Sequence, residues 1–131
     1  MTICYAELKK RLARSAFRSR FRLDTAGKRY ALEKGFEQIY GQAKQILRTR
    51  LGSVHPVNDG KQTPMHGHVV FIAQHATGSC CRGCLEKWFY IPRFRPLTEE
   101  EIATVADVIT QWIFEQCEQT ENILYTPDLA F

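Results

Sequence analysis

Residues 65–88 read MHGHVVFIAQHATGSCCRGCLEKW and hold three of the chain's four histidines and three of its five cysteines. Thiolate and imidazole donors at such short spacing are what tetrahedral zinc takes, and Cys81 and Cys84 stand at the C-x2-C separation that lets two sulfurs meet on one ion. On a helix Cys80 and Cys84 share a face at i, i+4, so Cys80 can stand in for Cys81. His68 and His75 are the expected imidazole donors. The candidate ligand set for one Zn2+ is therefore His68, His75, Cys80, Cys81 and Cys84. Two other readings compete with it: cysteine also packs as a small hydrophobe, and a C-x2-C pair also serves thiol redox chemistry. No second C-x2-C pair closes a four-cysteine site.

Outward from this block, 131 residues suit a single domain spanning 1–131, small enough that a metal staple would matter. A hydrophobic content of 44% with 24% charged residues fits a globular chain and excludes fibrous and membrane-embedded classes. No run approaches the ~18 apolar residues of a membrane span, and the opening MTICYAELKKRLARS lacks the apolar core of a secretory signal. A cytoplasmic location without membrane attachment is expected. An odd number of clustered cysteines agrees with that, since it suits a reducing compartment better than a disulfide frame.

The net charge of +4 conceals an asymmetry. Residues 1–50 carry 13 Lys or Arg against 4 Asp or Glu, whereas residues 97–131 carry 8 acids and no Lys or Arg. A basic half can track a phosphate backbone, and an acidic half can face a protein.

From Tyr5 to about Arg20, Leu8, Leu12, Ala13, Ala16 and Phe17 recur at helical spacing, which predicts one helix. Residues 17–23, FRSRFRL, interleave aromatic and basic residues, so Arg14, Arg18, Arg20 and Arg22 are expected to project outward as a phosphate-contacting set widened by Arg82 and Lys87. A second helix is expected from about Lys28 to Leu51, with Gly35 and Gly41 inside it to admit a closely packed neighbour. Residues 52–67 form the longest irregular stretch, expected to fold back over the cysteine block and present His55, Asn58, Asp59, Lys61, Gln62 and His66. The run VVFIAQHA reads equally as strand or helix. A short helix follows from Cys80 to about Tyr90. Thr98 and Glu101 then form a capping box opening a helix over 98–117, whose stripe Ile102, Val105, Ala106, Ile109, Trp112 and Ile113 should pack on the first 50 residues. After about Gln119 the tail loses helical period. The expected architecture is mainly α: two long N-terminal helices, a loop-rich Cys/His block with short elements, and one capped C-terminal helix.

Several stretches together carry a likeness: FRSRF at 17–21, NDGKQTPM at 58–65, GH at 67–68, VFIAQHAT at 70–77, CCRGCLEKW at 80–88 and WI at 112–113. They resemble a family of small bacterial and phage proteins known as a domain of unknown function. The likeness spans roughly residues 17–113 and implies one intact domain without implying a reaction. The chain departs from the family pattern twice, with Phe89 where the family has His after Trp and Val69 where it has Pro after Gly-His.

The composition supports a zinc-stabilised, nucleic-acid-associated protein first. Protein interaction is the alternative, as in an inhibitor module such as a mobile-element anti-defence factor. A metal-dependent nuclease-like enzyme has little support: His55, Asn58, His66 and His68 are loosely spaced, and no carboxylate pair accompanies them.

Overall fold

The computed structural model describes residues 3–53 and 62–124, apart from the side chains of 119–124. Seven helices carry these residues: α1 (Tyr5–Ala13), α2 (Ala16–Ser19), α3 (Thr25–Lys34), α4 (Phe36–Leu51), α5 (Val69–Thr77), α6 (Arg82–Phe89) and α7 (Glu99–Leu124). No strand occurs among the described residues.

The mainly helical reading holds, and α7 obeys its pattern closely. The Thr98 hydroxyl accepts from the Glu101 N–H at 3.0 Å while the Glu101 carboxylate accepts from the Thr98 N–H at 2.9 Å, so two donors that the helix itself cannot satisfy are paired. Ile102, Val105, Ala106, Ile109 and Ile113 are all buried, while Trp112 packs half-buried at the margin. Their main partner is α4, through Ile39, Ala43, Leu47 and Leu51, with α5 and α3 alongside. The helix continues to Leu124, beyond the expected end, and residues 125–131 lie outside the described residues.

The two N-terminal helices each divide. α1 ends at Ala13, Ser15 is extended, and its Oγ accepts from the Arg18 N–H at 3.1 Å to open α2. Serine inside a helix offers the backbone this alternative partner, and here it wins. The second expected helix begins three residues earlier than predicted, because Asp24 caps α3 by accepting from the Gly27 N–H at 2.7 Å. It then breaks at Gly35, whose φ of +86° an L side chain adopts only with strain. A Cβ built at Gly35 or Gly41 would have nothing within 4 Å, so neither glycine makes room for a neighbour, contrary to expectation.

The ambiguous run becomes α5. Val69, Val70, Ala73, Gln74, His75, Ala76 and Thr77 are all buried, and burial around most of a helix is what erases its sequence period. Gly78 ends it at φ +76°, and a Cβ there would stand 2.5 Å from the Trp88 ring. Val69 is the first residue of α5, where a proline is also tolerated, so this departure from the family pattern leaves the helix start intact. Phe89, the other departure, is a core residue at 1% exposure.

Part of the charge asymmetry closes internally. Lys9 meets Glu115 at 2.7 Å, Arg48 meets Glu99 at 2.6 Å, and Arg95 meets Glu101 through both oxygens. Among the described residues no helix is long and apolar enough to cross a membrane.

Candidate metal centre

Cys81 is the residue before α6, extended at φ −157° and ψ 168°, and its Sγ accepts from the Cys84 N–H at 3.4 Å in the manner of an N-cap oxygen. That places Cys84 in the first turn directly across from it, with Sγ–Sγ 3.2 Å. Cys80, one residue earlier and buried, sets its sulfur 3.5 Å from Cys84. All three sulfurs lie within 4.8 Å of one another, and no disulfide joins them. Zinc–sulfur bonds of about 2.3 Å in a tetrahedron put sulfurs roughly 3.8 Å apart, so a small adjustment would seat an ion between them.

Arg18 holds this cluster from the other side. Its Nη1 donates to the His75 carbonyl at 2.8 Å and to Cys80 Sγ at 3.4 Å, and its Nη2 donates to Cys84 Sγ at 3.1 Å. The break at Ser15 makes this possible by starting a new helix that turns Arg18 inward. Nothing in the residue spacing alone separates Arg18 from Arg14 or Arg20; Ser15, three residues ahead, is a cap residue that reads equally as part of a continuous helix. The loop before α5 closes the third side: the Thr63 hydroxyl donates to the Cys80 carbonyl at 2.7 Å, and Gln62 and Thr63 are buried. The described part of that loop therefore does fold over the block, while His55, Asn58, Asp59 and Lys61 lie outside the described residues. His66 is exposed.

The electrostatics follow from this geometry. Thiol hydrogen bonds from Cys80 and Cys84, with help from the backbone N–H groups of Cys84 and Gly83, hold Cys81 well below the ordinary thiol range. Its neighbour Cys80, bonded to Cys81 and Cys84 and buried, is pushed up. Cys81 also sits at the positive end of α6, which favours the same direction. Burial works against the Arg18 charge, but the sulfurs of Cys80 and Cys84 outweigh it and raise its pKa.

The two histidines part company. His75 Nε2 lies 3.3 Å from the Thr63 carbonyl and 3.2 Å from that of Pro64, so Nε2 carries the proton and Nδ1 keeps its lone pair. Burial lowers its pKa, its ring stacks on Phe21, and its nitrogens stay outside the three-sulfur group. His68 is spent elsewhere. Its Nδ1 accepts from the Val70 N–H at 3.0 Å as the cap of α5, and its ring lies against Tyr30 and Phe71. There it lines a separate cavity of about 340 Å³ with Asp24, Gly27, Tyr30, Val69 and Ile72, so it does not join the sulfurs as expected.

The predicted basic face also divides. Arg18 is turned onto the sulfurs, and Arg82 is 2% exposed, donating to the carbonyls of Leu51, Ser53 and Pro92. Arg22 folds onto the carbonyls of Ser19 and Phe21, and Arg20 lies over the rings of Phe17 and Phe21. Arg14 is exposed, as is Lys87, which lies over Trp88. Arg11, not among the predicted set, bridges Trp88 and Tyr90 and caps α6 through the carbonyls of Lys87 and Trp88.

Fold and site together define a small helical domain with a three-cysteine cluster, a candidate metal site, at the start of one helix. The chain matches the family described as Domain of unknown function (DUF4186) over residues 6–114 and belongs to it. No solved structure matches the chain.

Proposed function

We propose that this domain binds one zinc ion through Cys80, Cys81 and Cys84, with His75 Nδ1, outside the three-sulfur group before binding, drawn in as the fourth donor, and that the ion staples the N-terminus of α6 to α5. The observation that carries it is the convergence of three sulfurs within 4.8 Å at one helix start. His75 is chosen over His68 because a zinc-bound imidazole characteristically donates its other N–H to a backbone carbonyl, and His75 Nε2 already stands between two. Arg18 offsets part of the negative charge of three thiolates. Reconstitution of the reduced protein with Co2+ tests the reading. Thiolate-to-cobalt absorption saturating at one ion per chain and displaced by zinc is expected, and absence of that absorption overturns it.

Association with nucleic acid is a second reading. Its support is local: Arg20 over Phe17 and Phe21, with Arg14 close by in sequence and free of any acid of α7 in the pairs described above. Binding to a single-stranded oligonucleotide that weakens steeply with salt is its expected signature, and salt-independent retention or none contradicts it.

A further inference from the structure

We propose that Cys81 and Cys84 also form a thiol–disulfide exchange pair in the metal-free protein, with Cys81 as the attacking sulfur, Cys84 as the resolving sulfur, and an exogenous disulfide as substrate.

The geometry separates the three sulfurs by role. Cys81 caps α6, with the Cys84 N–H donating to its sulfur at 3.4 Å, the place of the first cysteine of a C-x2-C pair at a helix start. Cys84 sets its sulfur 3.2 Å from that of Cys81, and the two already occupy the cap and first-turn positions that a C-x2-C disulfide bridges. Cys80 is buried and donates no surface to a substrate, and Arg18 holds it against Cys84. The resolving sulfur thus has a guanidinium beside it, which fixes its position across from Cys81.

In the first step the Cys81 thiolate attacks one sulfur of the substrate disulfide. A mixed disulfide forms, the substrate S–S bond breaks, and one substrate thiolate leaves. Cys84 as thiolate then attacks Cys81 Sγ, forming the Cys81–Cys84 bond and releasing the second substrate thiolate. Two electrons pass from the protein dithiol to the substrate, and the two protons lost by Cys81 and Cys84 end on the two released thiols. A thiol reductant returns the protein to its starting state.

This inference uses two sulfurs of the proposed zinc centre but does not rest on that centre. A bound ion would occupy both sulfurs, so zinc and exchange compete.

The test uses the full chain, reduced and treated with chelator, exposed to oxidised glutathione in one arm and to insulin in the other, with thiol release followed in time and the cysteines mapped by mass spectrometry. Either substrate yielding a Cys81–Cys84 disulfide supports the pair, and the arm that reacts identifies a small or a protein disulfide as its source. Cys84→Ser should accumulate a mixed disulfide on Cys81, Cys81→Ser should lose release by roughly tenfold or more, and Cys4→Ser should leave it unchanged. One equivalent of zinc should slow wild-type release; release indifferent to zinc while the pair still forms would tell against the metal reading alone. A Cys80–Cys84 disulfide in the wild-type chain, or none in either arm while Cys81 remains open to alkylation, overturns the proposal without touching the zinc measurement.

Discussion

α7 and the α1–α2 segment are both amphipathic stretches with a charged face, yet one behaves as its pattern says and the other does not. In α7 the apolar stripe enters the core and Glu99, Glu100 and Asp107 stay outside, while Glu101 is buried in its pairing with Arg95 and Thr98. In α2 the aromatic and basic residues alternate, and Arg18 goes inside while Phe17 remains 40% exposed. The difference lies in what each helix meets. α7 packs on the apolar faces of α3, α4 and α5, where only hydrophobicity decides, whereas α2 packs on a cluster of sulfurs that a guanidinium can satisfy and an aromatic ring cannot.

The largest effect should come from the α7 side. Ile109 is fully buried, so Ile109→Ala should cost about 2–5 kcal/mol, read as a lowered midpoint in urea unfolding. An unchanged midpoint would break the claim that this stripe is the centre of the core. Arg18→Met should come next. It keeps the apolar stem and strands a carbonyl and two sulfurs, for a loss of about 1–3 kcal/mol; a variant as stable as wild type would mean the inward contacts contribute nothing.

Thr98→Ala should cost about 1 kcal/mol by removing one half of the capping box. The other half carries a pH signature. Arg95 holds the Glu101 carboxyl down to about 2, below its ordinary 4.5, so its stabilising contribution is complete above pH 4.5 and is lost as pH falls towards 2. The difference in melting temperature between wild type and Glu101→Gln should therefore shrink across that window; a constant difference would contradict the pairing. Smallest of all, Arg14→Ala should change stability by less than about 0.5 kcal/mol, in contrast to Arg18, four residues away.

Legibility in the sequence followed the same divide. The stripe and cap of α7 and the proximity of Cys80, Cys81 and Cys84 could be read directly, because periodicity and short-range spacing survive into the fold. The breaks at Ser15 and Gly35 could not, since a serine or glycine inside a periodic run is compatible with a continuous helix until tertiary contacts favour the alternative. α5 escaped assignment because burial removed its polar face. The choice between His68 and His75 depended on which ring nitrogen each spends on the backbone, information that spacing does not contain. Arg82, counted with the outward basic residues, is buried because three backbone carbonyls converge on it from two separate segments, the end of α4 and the stretch after α6.

The central claim is that three sulfurs from one helix start, and the imidazole of His75, form a single zinc centre. X-ray absorption at the zinc edge of the reconstituted protein tests it most directly. The expected result is a shell of three sulfurs at about 2.3 Å with one nitrogen at about 2.0 Å, the nitrogen lost in His75→Ala and retained in His68→Ala. A shell of nitrogen and oxygen without sulfur would contradict it.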